Sequence, residues 1–168
     1  MLDPMMDDLL EANRTYASKF SLAGIPARAD KGFALVTCMD SRIEPLTMLG
    51  LVPGDAKILR NAGGRVTDDV LRSLALATNL LGVGRIAVMQ HTDCALANRD
   101  DGTVRSSLPE RIREEAVNWT FRAMPDPAAA LRGDVELVRA CPLLPAGIHV
   151  EGWRYHVDTG VVEQVLTP

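Results

Sequence analysis

The chain has 168 residues, 47% hydrophobic and 24% charged, and a net charge of −4, which fits one soluble globular domain and excludes a disordered chain. No basic run or stripe offers a footing for nucleic acid. The opening MLDPMMDDLL is acidic where a secretion signal would be basic, and no apolar run nears the ~18 residues of a membrane span, so the cytoplasm is expected and a membrane partner is not.

Residues Met5 to Phe20 predict a helix, with Leu9, Leu10, Tyr16, Ala17 and Phe20 at three- and four-residue spacing. Its apolar face is thin for a helix that only caps its own domain. A linker rich in Ala, Gly and Pro (Ala23 to Gly32) leads to Phe33-Ala34-Leu35-Val36-Thr37, a buried strand, with Cys38 to Arg42 expected in the loop after it. Pro45 to Leu51 suits a short helix stopped by Val52-Pro53-Gly54. Ala56 to Leu59 is a second strand, left through Arg60-Asn61-Ala62-Gly63-Gly64. Thr67 can cap the next helix, whose first turn carries Asp68 and Asp69 where the dipole favours anions, and Gly82 stops it. Ile86 to Met89 is a third strand with His91-Thr92-Asp93-Cys94 at its end. The segment from Asn98 to Asn118 is polar, with a helix expected over Pro109 to Trp119 and another over Ala128 to Ala140. Ile148 to Val157, a turn at Asp158-Thr159-Gly160 and Val161 to Val165 read as a β-hairpin.

Buried strands alternating with helices imply a three-layer α/β/α domain. Its central sheet is expected to have four to five strands, mainly parallel, with an antiparallel strand from the C-terminal hairpin. Ligands of such sheets bind outside the carboxyl ends of the strands. Cys38, Asp40 and Arg42 follow one strand and His91 and Cys94 another, so strand order alone puts all five on one edge.

Three cysteines without close spacing make a poor disulfide framework. A cysteine is often just a small buried hydrophobe, but two at strand ends with a histidine alongside point to a metal. Two thiolates and one imidazole suit Zn2+, one per chain, and leave a fourth position for water. Asp40 and Arg42, two residues apart on a loop, can pair, and an Asp held by Arg stays ionised and fixed in direction. It can then accept a hydrogen bond from a zinc-bound hydroxide.

C-M-D-S-R at 38–42, followed by H-T-D-C at 91–94, resembles the β-class carbonic anhydrases, whose signature is C-x-D-x-R then H-x-x-C. The loop Arg60-Asn61-Ala62-Gly63-Gly64 is similar to the family's R-N-A-G segment, and the likeness extends over nearly the whole chain, in the manner of a compact, prokaryote-type member. The resemblance implies a single zinc domain over residues 1–168 that hydrates carbon dioxide reversibly to bicarbonate and a proton. It implies Cys38, His91 and Cys94 as metal ligands and Asp40 and Arg42 as the catalytic dyad. It also implies a homodimer or larger homo-oligomer, with residues 1–22 packing on a partner subunit, which agrees with the thin apolar face of that helix. The chain departs from the pattern at Ala95, where the family usually carries Gly; alanine would strain the loop only if the position needs a positive φ.

Zinc lowers the pKa of bound water to about 7 in the three-histidine class of carbonic anhydrase. Two thiolates cancel the ion's charge, so a weaker acid is expected here. Asp40 has two exclusive partners, Arg42 or the metal, so activity is expected to climb as pH rises above neutrality. His149 and His156 in the hairpin read as structural or solvated groups. Three other readings compete: a hydrolase of carbon disulfide or carbonyl sulfide at the same zinc, a non-catalytic zinc domain closed by Asp40, and a dinucleotide-binding protein. The last rests on Gly82-Val83-Gly84-Arg85-Ile86-Ala87 and fails on context, because the fingerprint must follow a strand and open a helix.

Overall fold

A computed structural model describes residues 6–167. One five-stranded sheet organises them, in the order β2-β1-β3-β4-β5. The strands are Phe33–Cys38 (β1), Ala56–Asn61 (β2), Arg85–His91 (β3), His149–Tyr155 (β4) and Val162–Leu166 (β5). β1 pairs in parallel with β2 and β3, and β3 with β4, whereas β5 returns antiparallel to β4. This is the expected mainly parallel sheet with an antiparallel hairpin strand.

Every residue of β1 is buried, as are all of β3 after Arg85, which is why both read as unbroken apolar runs. On one face Ala34, Val36, Ile86 and Val88 pack with Val70, Leu74 and Ala77 of α2 (Asp68–Leu80) and Leu131, Val135 and Val138 of α5 (Pro127–Arg139). On the other face Phe33, Leu35, Ala87, Met89 and Tyr155 meet Met48, Leu49 and Leu51. The predicted cap of α2 is present: Val70 N–H donates to Thr67 Oγ1 at 3.3 Å. Gly82 takes φ 77° and lets the Val83 N–H turn back to the Ala77 carbonyl at 3.1 Å.

The opening helix α1 is shorter than predicted, Asp7–Ala17, and buries none of its residues. Of its predicted span, Met5 lies outside the described residues. Pro45 to Leu51 forms only a 3₁₀ turn at Thr47–Leu49, because Gly50 takes φ 66° and ends it. The helix expected over Pro109 to Trp119 breaks into α4 (Glu110–Arg113) and a 3₁₀ turn, Glu115–Asn118. Of its apolar residues only Ala116 is buried, Ile112 and Val117 being exposed, and Arg105 takes the Ala116 and Trp119 carbonyls that end the run. The preceding polar stretch holds an unexpected short helix, α3 (Asp101–Ser106), capped by Asp100 Oδ1 accepting from Thr103 N–H at 2.7 Å. Among the described residues, no helix is long and apolar enough to cross a membrane.

Candidate metal centre

Parallel pairing puts the carboxyl ends of β1, β2 and β3 side by side, with Cys38 opposite Asn61 and Thr37 opposite Met89. Cys38 is the last residue of β1 and His91 the last of β3, so both are held by strand backbone rather than by the loops where the sequence suggested Cys38 would sit. Cys94 comes on the turn after β3. The two sulfurs and a ring nitrogen of His91 lie within 4.8 Å of one another. His91 Nδ1 faces the Thr92 carbonyl at 2.9 Å, so that nitrogen carries the proton and Nε2 presents a lone pair. Nε2 is buried and has no hydrogen-bond partner among the described residues. An orphaned buried acceptor is rare in folded proteins and asks for a ligand.

The neighbouring Cys94 thiol, then the His91 ring and the Asp40 and Gly63 backbone, hold the Cys38 thiol well below its usual range despite burial. The same contact, and then burial, push Cys94 up, since a second thiolate would face the first. A soft dication removes that repulsion.

Asp40 and Arg42 pair as expected. Arg42 Nε donates to Asp40 Oδ1 at 2.9 Å and Nη2 to Oδ2 at 2.8 Å, a two-pronged bond joined by the Arg42 amide to Oδ1 at 2.9 Å. These bonds hold the Asp40 carboxyl well below the usual carboxylate range. Asp40 Oδ2 stands 3.8 Å from His91 Nε2, so the ionised oxygen faces the ligand cluster. A cleft of about 440 Å³ opens over Cys38, Asp40, Arg42, Gly63, Cys94 and Leu96.

The surrounding loops explain the Arg60–Gly64 segment. Arg60 donates to the Cys38 carbonyl at 3.0 Å and the Asp40 carbonyl at 2.6 Å, clamping the turn that carries ligand and dyad. Asn61 closes its own loop, donating to the Arg65 carbonyl and accepting from its amide, both at 2.8 Å. Gly64, at φ 64°, lies against the Cys38 amide nitrogen and the Met89 carbonyl oxygen so closely that an added Cβ would sit 2.9–3.0 Å from them. Arg65 then bridges to Asp134 of α5 at 2.6 Å, fixing the loop to the helix layer.

A family model described as carbonic anhydrase matches residues 33–118. β-Carbonic anhydrase 1 of Mycobacterium tuberculosis is 33% identical over 159 residues, covering 95% of this chain and 96% of that protein. The chain belongs to the β-carbonic anhydrase family. A crystal structure of carbonic anhydrase from Streptococcus mutans superposes with a TM-score of 0.87 at 39% identity, over 98% of this chain and 99% of that one. A carbon disulfide hydrolase of an Acidianus species is 32% identical over 184 residues, 95% of this chain and 88% of that protein.

β-Carbonic anhydrases are zinc enzymes, and the donor set here fits that ion. Two thiol sulfurs and one neutral imidazole are a zinc set with one position left over. The three donor atoms lie within 4.8 Å of one another, near enough for a single ion to be shared among them. Ala95 is compatible with the family turn: the described non-glycine residues at positive φ are Asp93, Asn98 and Arg122, and Ala95 is not among them. The left-handed residue of the H-x-x-C turn is Asp93, at φ 56°.

His149 and His156 pair with carboxylates, Glu151 at 2.6 Å and Glu163 at 3.3 Å, as structural groups would. Three contributors were not singled out by sequence reasoning. Arg60 clamps the first loop. Thr92 ties the second to the end of β4, its amide donating to the Tyr155 carbonyl at 2.9 Å and its Oγ1 accepting from the Val157 amide at 3.1 Å. Asp93 accepts from Arg42 Nη1 at 2.7 Å. All three stand inside the quoted motifs, but their partners lie 20 to 65 residues away in the chain.

Proposed function

We propose that this chain catalyses the reversible hydration of carbon dioxide to bicarbonate and a proton, with Cys38, His91 and Cys94 as zinc ligands and Asp40 and Arg42 as the catalytic dyad. The observation that carries this reading is the buried, unpartnered Nε2 of His91 facing two cysteine sulfurs with an ionised aspartate alongside. Zinc bound there supplies a Lewis acid that lets water lose a proton near neutral pH. Asp40, ionised and facing the ligand cluster, would accept a hydrogen bond from a water held there and orient it toward the substrate. Arg42 keeps Asp40 ionised and aimed, and the small cleft beside Leu96 admits a linear triatomic molecule.

The molecule is read as one zinc domain that works as a cytoplasmic homodimer. Helix α1 supports the dimer, since Leu9, Leu10 and Tyr16, and Phe20 just beyond it, remain exposed against their own chain. Carbon dioxide is favoured over carbon disulfide because the matching family model is that of carbonic anhydrase and the Streptococcus mutans carbonic anhydrase is 39% identical, against 32% for the Acidianus hydrolase.

Metal analysis coupled to a stopped-flow assay tests the proposal. About one zinc per chain is expected, with rapid hydration of carbon dioxide and little turnover of carbon disulfide or carbonyl sulfide. Cys38→Ser, His91→Ala and Cys94→Ser should lose zinc, whereas Cys141→Ser keeps it. Equal loss in Cys141→Ser and Cys94→Ser would overturn the ligand assignment, and a zinc-loaded protein without hydration activity would overturn the function.

A further inference from the structure

All the hydrogen bonds to the Asp40 carboxylate among the described residues come from Arg42. Whatever fixes Arg42 therefore fixes Asp40. The guanidinium has five N–H donors, and two hold Asp40. Of the others, Nη1 donates to Asp93 Oδ2 at 2.7 Å, and Nη2 is shared with the Asp93 carbonyl at 3.1 Å. Asp93 sits 51 residues along the chain from Arg42, on the turn between His91 and Cys94. Its left-handed φ of 56° is a conformation few residues other than glycine adopt, and at this position the residue reaches Arg42 with both its carbonyl and its carboxylate. The Asp93 side chain is otherwise open to solvent, so the ion pair is what it contributes.

The need for such an anchor is visible at Asp40. Its Oδ2 is 3.8 Å from His91 Nε2, so a small rotation brings the carboxylate onto whatever that nitrogen binds. The Arg42 side chain is long and 44% exposed, so burial alone does not fix it. From this geometry we propose that Asp93 is a positioning residue: it anchors Arg42 from the second ligand loop, and through Arg42 it keeps the Asp40 carboxylate off the metal. The two loops that carry the ligands are thereby coupled through one guanidinium. The inference rests on the zinc hydration reading above.

Asp93→Gly and Asp93→Asn in the full chain test it. Glycine removes the carboxylate while adopting the same φ freely, and the backbone carbonyl contact at position 93 survives. Asparagine also tolerates the left-handed turn and keeps a neutral acceptor. Both variants are expected to fold and to hold as much zinc as the parent. In Asp93→Gly, kcat/KM for hydration should fall about tenfold, a change typical of coupling between neighbouring groups, with Asp93→Asn in between. A crystal structure of zinc-loaded Asp93→Gly should show Asp40 released from Arg42, and the visible spectrum of its cobalt(II) form should differ from the parent's. In an Asp40→Asn background, Asp93→Gly should cause no additional loss. Parental turnover with Asp40 still paired to Arg42, in either variant, would overturn the inference, and so would loss of zinc, which would make Asp93 merely structural. If the parent itself fails to hydrate carbon dioxide, the functional reading fails, while the position of Asp40 in the two variants still decides the role of Asp93.

Discussion

Gly64→Ala offers the sharpest perturbation of the site's scaffold. The glycine sits at φ 64°, and a Cβ built there would lie 2.9 Å from the Cys38 amide nitrogen, 2.9 Å from the Thr37 carbonyl carbon and 3.0 Å from the Met89 carbonyl oxygen. All three are backbone atoms at the buried carboxyl ends of the interior strands β1 and β3, so none can swing aside as a side chain would. The left-handed conformation costs an alanine about 1–2 kcal/mol, and forcing a methyl into packed backbone adds about 1–3 kcal/mol. The sum, about 2–5 kcal/mol, is a large share of the roughly 5–15 kcal/mol that holds a domain folded. At about 2–4 °C per kcal/mol for a chain of this size, the melting temperature should drop by about 4–20 °C. Zinc affinity should fall with it, since the strand that must shift carries Cys38.

Gly63→Ala is the matched control. It has a similar φ of 75°, but its Cβ would meet the Leu96 Cδ1 at 3.2 Å and the Arg65 Cγ at 3.3 Å, both side-chain atoms that can give way. Only the conformational cost of about 1–2 kcal/mol should remain. Thermal unfolding followed by circular dichroism, with chelator competition for zinc, measures both variants. A Gly64→Ala protein as stable as the parent, or no more damaged than Gly63→Ala, would refute the reasoning that backbone contact makes this glycine indispensable.

Other parts of the molecule carry three more expectations. Arg42→Ala should give a folded, zinc-loaded, nearly inactive protein with an Asp40 oxygen on the metal, visible in a crystal structure at pH 8; water on the metal with near-normal turnover would count against it. Arg65→Met leaves Asp134, 1% exposed, as a buried carboxylate without its 2.6 Å partner, and should cost about 3–5 kcal/mol in urea denaturation; a cost under about 1 kcal/mol would show that the pair is not what holds the loop to α5. Removing residues 1–20 should dissociate or aggregate the protein, because the exposed apolar residues of α1 and Phe20 need a partner surface; a truncated chain that remains a soluble dimer by light scattering would exclude this helix from the interface.

The sheet and the ligand types were legible in the residue pattern alone. Strands buried on both faces must be apolar throughout, so β1 and β3 stood out as runs, and the cap at Thr67 and the stop at Gly82 as local chemistry. Cys38, Asp40, Arg42, His91 and Cys94 stood out because parallel strands bring the residues at their carboxyl ends to one edge, and because thiolates and imidazole together select few metals. Local rules failed at Pro45–Leu51, where Gly50 at φ 66° ends the helix after one turn, and at Pro109–Trp119, whose apolar residues other than Ala116 stay outside the core. Which nitrogen of His91 is left unpaired emerged only on folding, because it depends on the Thr92 carbonyl beside Nδ1. The roles of Arg60, Gly64 and Asp93 emerged there too. Each acts through an atom on another strand or loop, and the register of parallel strands joined by long crossovers is set by packing across the sheet rather than by any neighbour in sequence.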